Sequence, residues 1–275
     1  MAAADDRFQF GENWRAFLLV LDDDRIRAAE ASLRSLLGVE RLEGKRFLDA
    51  GSGSGLFSLA AYRLGATVHS FDYDPQSVAC TAELRRRFDG SDENRWVVEQ
   101  ASVLDRRRLA AMGVFDVVYS WGVVHHTGAM WGAVGNLVDR VAPGGLLALS
   151  IYNDQGRKSR LWAAIKRRYV GASPIVQRTM VVLVAGALEG REAVGELARG
   201  RSPTSRWRHY RENRGMSLWH DLVDWVGGWP FEVASPAEVR MFCEQRGVRL
   251  VDQRTTGGHG CNEYVFRRLD ITGVS

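Results

Sequence analysis

A chain of 275 residues, 45% hydrophobic and 25% charged, is long enough for one large domain or a domain with a sizeable insertion, and it excludes intrinsic disorder. The formal net charge of +4 hides an uneven distribution: residues 157–215 hold 14 Arg/Lys against four Glu, so the remainder is net acidic. Cys80, Cys243 and Cys261 are odd in number and form no Cys-x-x-Cys pair, which excludes a disulfide scaffold or zinc knuckle and fits a reducing cytosol.

The N-terminus shows no basic region followed by an apolar run, so no secretory signal is expected. The longest apolar run, 180–188, is far short of the ~20 residues a bilayer requires, so no membrane span is expected.

Residues 24–38 carry an apolar stripe at Ile26, Ala29, Leu33 and Leu37, predicting a helix packed on a sheet. From Arg46, short apolar runs alternate with amphipathic patterns, the sequence form of βαβ units on a parallel sheet. Strands are predicted at 46–50, 67–72, 96–99, 115–120 and 146–152, with helices at 56–64, 75–88 and 130–141 between them. Asp74 suits an N-cap with Pro75 at the first helical position, and Pro143-Gly144-Gly145 is predicted to turn the chain into the fifth strand.

The pattern then breaks. Residues 153–233 are rich in Arg and Trp, with helices predicted at 160–169, 175–188 and 218–226. Regular order resumes at Ser235-Pro236-Ala237-Glu238, a capping box, and Gly247 closes that helix. Strands at 248–255 and 262–268 follow, joined by Gly257-Gly258-His259-Gly260-Cys261.

Open parallel sheets bind ligands at the carboxyl ends of their strands. There, Asp49-Ala50-Gly51-Ser52-Gly53-Ser54-Gly55 spaces its glycines as GxGxG, allowing a tight turn and close approach of a ligand to the backbone, with a helix N-terminus beyond it for a negative group. Asp72 ends the second strand 17 residues past Gly55, a position suited to a carboxylate that accepts two ribose hydroxyls. Asp116 precedes the fourth strand at the opposite end and reads as structural.

Four separated motifs, FLDAGSGSG (47–55), FDYDP (71–75), FDVVYSWGVVHHTG (115–128) and VAPGGLLALSIYN (141–153), resemble the class I S-adenosylmethionine-dependent methyltransferases, and among them the ubiquinone-biosynthesis-like small-molecule group. The resemblance covers residues 46–153 and, more loosely, 235–268. It implies an α/β fold: a Rossmann-like seven-stranded sheet with the last strand antiparallel, N-terminal helices, and a helical lid inserted after strand five. The expected division is an N-terminal helical segment (1–44), a cofactor-binding core (45–153 and 234–275) and a lid (154–233).

For S-adenosylmethionine, the resemblance implies that Asp49 and the backbone of Gly51, Ser52, Gly53 and Gly55 hold the methionine part. Asp72 would take the ribose, Tyr73 would lie beside the adenine, and Ser102 and Val103 would meet the adenine edge. Ser120, Trp121 and Gly122 would wall the sulfonium. Phe10, Asn13 and Trp14 fall in the stretch that caps the cofactor in many such enzymes, with Phe10 toward the acceptor. His125 and His126 are the general-base candidates, at most one facing the acceptor because consecutive side chains diverge.

Tyr152, Asn153 and His259 join the acceptor side by topology. In the insertion, His220 and Asp224 are i,i+4 on a predicted helix, so Trp219 and His220 are further acceptor-binding candidates. No metal-ligand signature is present.

The leading expectation is methylation of a small metabolite at oxygen, in the cytoplasm and in natural-product metabolism. The alternatives are N- or C-methylation, RNA methylation through the basic insertion, and methylation of a lipid by a peripherally bound enzyme. Without a recognisable RNA-binding module, nucleic acid is not the expected partner. The basic insertion favours an anionic acceptor, and the oligomeric state stays open.

Overall fold

The computed structural model describes residues 11–88, 95–198, 223, 225–258 and 260–270. Seven strands form one sheet: β1 (Arg46–Ala50), β2 (Thr67–Asp72), β3 (Trp96–Gln100), β4 (Phe115–Trp121), β5 (Val141–Tyr152), β6 (Val248–Arg254) and β7 (Cys261–Arg268), in the order β3-β2-β1-β4-β5-β7-β6. The first five are parallel, and β7 runs antiparallel to both β5 and β6. The strand order reverses between β1 and β4, and this reversal places the ligand-binding edge at their carboxyl ends.

The side-chain period of two divides the core. Phe47, Val117, Tyr119 and Ala148 face α1 (Gly11–Leu18), α2 (Asp23–Leu37), α3 (Leu56–Arg63) and α4 (Pro75–Phe88). Leu48, Val118 and Leu147 face α5 (Arg106–Met112), α6 (Met130–Val138) and the C-terminal helix, α9 (Pro236–Glu244). α2 shows how the local code works: Asp22 caps its start by accepting from Arg25 N at 2.9 Å, and Gly38 at φ 65 ends it, its N–H bonded to Arg34 O. Between these caps Ile26, Ala29, Leu33, Leu36 and Leu37 are buried, each of the larger ones contributing ~1.5–3 kcal/mol.

Several elements differ from expectation. β5 begins at Val141, so Pro143-Gly144-Gly145 is an irregularity within a long strand rather than a turn before it; the register against β4 shifts between Phe115 and Val117. Gly145 is needed there because a Cβ would lie 2.8 Å from Asp116 O. α5 and a 3₁₀ turn at Val124–His126 were not expected, and the insertion's helices α7 (Arg157–Val170) and α8 (Pro174–Ala198) are longer than predicted. As expected, Asp116 is structural: it accepts from Arg46 N at 2.9 Å at the far end of the sheet.

α7 and α8 share a small core of Tyr169, Val181 and Val226, and the rings of Trp162 and Trp225 are 4.0 Å apart. The base of the insertion is closed where Ala234 N donates to Tyr152 O (3.0 Å) and Asp154 N donates to Ala234 O (3.1 Å). Among the described residues no helix is long and apolar enough to cross a membrane, and no group of three or more His, Cys, Asp or Glu is arranged to hold a metal.

Candidate active site

The loop after β1 turns through three residues in the left-handed region, Gly51 (φ 85), Gly53 (φ 54) and Gly55 (φ 81). Space demands glycine as strictly as φ does. A Cβ on Gly51 would lie 2.3 Å from a Val123 methyl, and one on Gly53 would lie 2.9 Å from the Trp14 ring. Trp14, on α1, therefore closes over the loop, and α1 is fixed in turn by the bond from Gly11 N to Asp74 Oδ2 at 2.9 Å. Asn13 lies on the same helix.

The loop is tied down from below. Gly51 N donates to Phe71 O (2.8 Å), and the Ser52 and Thr81 hydroxyls share a bond of 2.9 Å. α3 starts at Leu56 with Gly55 as N-cap and no side-chain cap, so its first turn presents N–H groups to an anionic group at this edge.

Two carboxylates flank the loop. Asp72 accepts from Gly53 N (3.0 Å) and Asp74 N (2.9 Å), which aims it across the loop from the end of β2. Burial outweighs these bonds and pushes its pKa up to about 6. Asp49 is buried and accepts from the Ser58 hydroxyl, so it joins β1 to α3. Burial raises it to about 7, opposed by Ser58 and reinforced by the charge of Asp72. An acid whose ionisation is penalised in this way would be stabilised by a cationic group, so Asp49 suits the ammonium of a methionine-like ligand, while Asp72, held by two backbone N–H groups, suits hydroxyls.

Just beyond β3, Ser102 Oγ accepts from Leu104 N (3.2 Å), and the buried Val103 offers its carbonyl to Asn136 Nδ2 (3.0 Å). Tyr73 is 52% exposed beside Asp72, in position to cover a flat group.

Ser120 differs from expectation. Its side chain is fully buried and donates to Ala50 O at 3.0 Å, tying β4 to β1, so only its backbone could face a ligand. Trp121 stacks on Tyr119, with ring centroids 5.5 Å apart, on the α3 side of the sheet, while Gly122 at φ 75 turns the chain out of the strand.

His125 is enclosed, and His126 beside it is half-buried. His125 is 1% exposed and His126 Nδ1 bonds to Pro230 O at 2.7 Å, with the two ring centroids 4.5 Å apart. Burial, then the charges of His126 and Lys166, holds the His125 pKa well below the usual histidine range. Burial and Lys166 lower His126 to about 3. Burial therefore favours the neutral form of both rings, the form that can accept a proton, and weakens each as a base.

Tyr152 sits with its ring centroid 4.1 Å from that of His125 and 5.1 Å from that of Phe231. It opens onto a small, partly open pocket lined also by Asn153, Trp162, Lys166, Trp225 and Phe231. Asn153 shapes this pocket more than it reaches into it: its amide donates to Thr256 O (3.1 Å) and accepts from Asn262 Nδ2 (3.0 Å), joining β5 to the β6–β7 turn. Phe10, Trp219, His220, Asp224 and His259 lie outside the described residues.

Two residues were missed in the sequence. Lys166 is fully buried, donates to Trp225 O, and has its Nζ 4.9 Å from the Phe231 ring centroid, 5.4 Å from that of Trp225 and 5.6 Å from that of Tyr152. Glu232 accepts from Met130 N at 3.1 Å and so caps α6. Burial raises its carboxyl pKa against the lowering effect of that bond.

Comparisons with known proteins agree with this geometry. A family described as a methyltransferase domain matches residues 21–218. Ribosomal protein L11 methyltransferase of Xanthomonas axonopodis pv. citri is 34% identical over 122 residues, covering 43% of this chain and 35% of that protein. Glycine N-methyltransferase of Mus musculus is 31% identical over 160 residues, 54% of each chain. Ubiquinone biosynthesis O-methyltransferase of Burkholderia vietnamiensis is 30% identical over 129 residues, 47% of this chain and 53% of that one. These matches span between about a third and about half of the relatives' length.

Among solved structures, magnesium protoporphyrin IX methyltransferase of Synechocystis PCC 6803, with bound S-adenosylhomocysteine, superposes with a TM-score of 0.55 at 14% identity, covering 94% of this chain and 93% of that one. An O-methyltransferase family protein of Burkholderia thailandensis gives 0.53 at 13% identity, covering 90% and 57%. With the family model matched over most of this chain and the strand order shared with those structures, the chain belongs to the methyltransferase domain family.

Proposed function

We propose that the protein methylates a small molecule, at oxygen, with the donor held along the β1–β2 edge and the acceptor in the pocket between β5 and α7. S-adenosylmethionine supplies an electrophilic methyl group. The chain's own residues bind and orient: Asp72 and the glycine loop hold the donor, Trp14 covers it, and the aromatic walls around Tyr152 exclude water from the acceptor side. In this reading residues 45–153 and 234–275 form the cofactor-binding core, 1–44 an N-terminal helical segment, and 154–233 a lid that selects the acceptor.

The carrying observation is continuity along one sheet edge. Gly51 touches Val123, the adjoining 3₁₀ turn carries His125, His125 packs on Tyr152, and Tyr152 lines the pocket. Oxygen as the acceptor atom draws support from the similarity to the ubiquinone biosynthesis O-methyltransferase, and a reducing cytoplasm from the free buried thiols Cys80 and Cys243. Calorimetric titration with S-adenosylhomocysteine tests the donor site. Wild-type protein should bind it and Asp72→Ala should bind it at least ~10-fold more weakly, since hydrogen bonds to charged groups contribute ~1.5–3 kcal/mol; equal affinity refutes the assignment.

A further inference from the structure

The two helices of the insertion turn unlike faces outward. α7 and α8 are joined by residues 171–173, and both bury the side that meets the small core around Tyr169 and Val181. In α8 that side carries Gln177, Val181 and Val184, with Gln177 Nε2 donating to Tyr169 O at 3.1 Å. At ~3.6 residues per turn, Ile175, Thr179, Val182 and Leu183 fall on the opposite side. Ile175 is 79% exposed, Val182 57% and Leu183 67%. Thr179 adds no unmet polar group to this row, because its hydroxyl donates to Ile175 O at 2.9 Å. The outward side of α7 is basic instead: Arg157, Arg160, Arg167 and Arg168 are exposed, with Leu161 among them. Residues 155–188 hold seven Arg/Lys and no Asp or Glu.

An exposed row of aliphatic side chains beside a cluster of positive charge marks a docking surface, and charge decides what covers it. A second copy of the chain, related by a two-fold axis, would set these arginines against their own kind. RNA would satisfy the charge but is gripped by stacking on aromatic rings, whereas Trp162 and Trp225 pack on each other and line the pocket at the end of β5. An anionic lipid surface matches both features at once, since aliphatic side chains enter the acyl boundary while arginines pair with headgroup phosphates. We propose that the outward face of α7 and α8 docks the protein on an anionic bilayer, with Ile175, Val182 and Leu183 inserted and the α7 arginines at the headgroups. α8 then lies in the interface and does not cross it, in keeping with its length and composition. Because α7 starts at Arg157, just past the end of β5 at Tyr152, docking brings the carboxyl edge of the sheet near the bilayer.

Vesicle flotation of the full chain tests this. The protein should float with vesicles of phosphatidylcholine mixed with phosphatidylglycerol and bind pure phosphatidylcholine at least ~10-fold more weakly, with affinity for the mixed vesicles falling as salt rises. Val182→Gln combined with Leu183→Gln, at exposed positions where glutamine suits a helix, should weaken binding at least ~10-fold in protein that keeps wild-type S-adenosylhomocysteine affinity. Arg167→Gln combined with Arg168→Gln should weaken it too and make the salt dependence shallower. No flotation with the mixed vesicles, equal binding to both kinds, or undiminished binding by the Val182→Gln, Leu183→Gln protein overturns the proposal. Failure to float beside a concentration-dependent dimer that the same pair of substitutions dissociates assigns the row to a second copy, and failure to float beside tight binding of single-stranded RNA assigns the arginines to nucleic acid; each overturns it as well. None of these outcomes touches the methyltransferase reading, which stands or falls on cofactor binding.

Discussion

Asp49 offers a quantitative test because its burial carries a pH-dependent cost. Its pKa rises from an ordinary 3.8 to about 7 in the folded chain, mainly through desolvation. A carboxyl whose folded pKa lies above its unfolded value favours folding below the unfolded value and loses that advantage as pH rises through the folded one. The penalty is therefore small near pH 4 and reaches ~4 kcal/mol by pH 8. Asp49→Asn removes the ionisation but keeps an oxygen to accept from Ser58, while its amide N–H₂ gives back ~1–3 kcal/mol if it stays unsatisfied.

The variant without cofactor should thus be more stable than wild type by roughly 1–3 kcal/mol at pH 8 and should lose the whole of that advantage by pH 4. Urea unfolding at intervals between those pH values measures it, with calorimetric binding of S-adenosylhomocysteine as a second readout that should weaken in the variant. A stability difference that does not change with pH would refute the burial argument, whatever its size.

Two further expectations concern packing and capping. Gly51→Ala should be far worse than Gly122→Ala: both residues have positive φ, but the new methyl meets Val123 at 2.3 Å in the first case and nothing within 4 Å in the second. The first should cost ~2–4 kcal/mol and the second ~1 kcal/mol by urea unfolding, and equal costs would show that Val123 moves aside freely. Glu232→Ala should cost ~1–2 kcal/mol by uncapping Met130 N, with Glu232→Gln recovering most of the loss because it keeps an acceptor oxygen; no recovery would show that the charge rather than the bond matters.

The sheet was legible because its strands are apolar runs punctuated by Gly, Pro and Asp, and each such boundary has a local cause. β1 and β2 fall at the predicted residues, and Ser235 with Glu238 forms the expected capping box. What failed was held by distant parts of the chain. α1 is short and is fixed by Asp74 and by the packing of Trp14 on Gly53, while α5 buries only Leu109 and Met112. Glu232 caps a helix 102 residues away, so nothing near either partner announces it.

The histidine pair was placed at the mouth of the site because its position after β4 was visible, whereas its packing against Pro230 and Tyr152 was not. Lys166 was hidden differently, at the head of a Lys-Arg-Arg run that reads as a solvated face. A helical projection of α7 would have shown it sharing a side with Ser159 and Tyr169, the helix's other buried residues.

That placement changes what the basic insertion means. Arg157, Arg160, Arg167 and Arg168 are exposed on α7, where salt screens a charge over about 8–10 Å. Lys166, in the same run, is enclosed by aromatic rings and is screened much less. The exposed arginines can raise the local concentration of an anion and hasten its encounter with α7. At the opposite edge of the sheet the buried carboxyl of Asp49, raised to about 7, would be stabilised in its charged form by a positive group nearby.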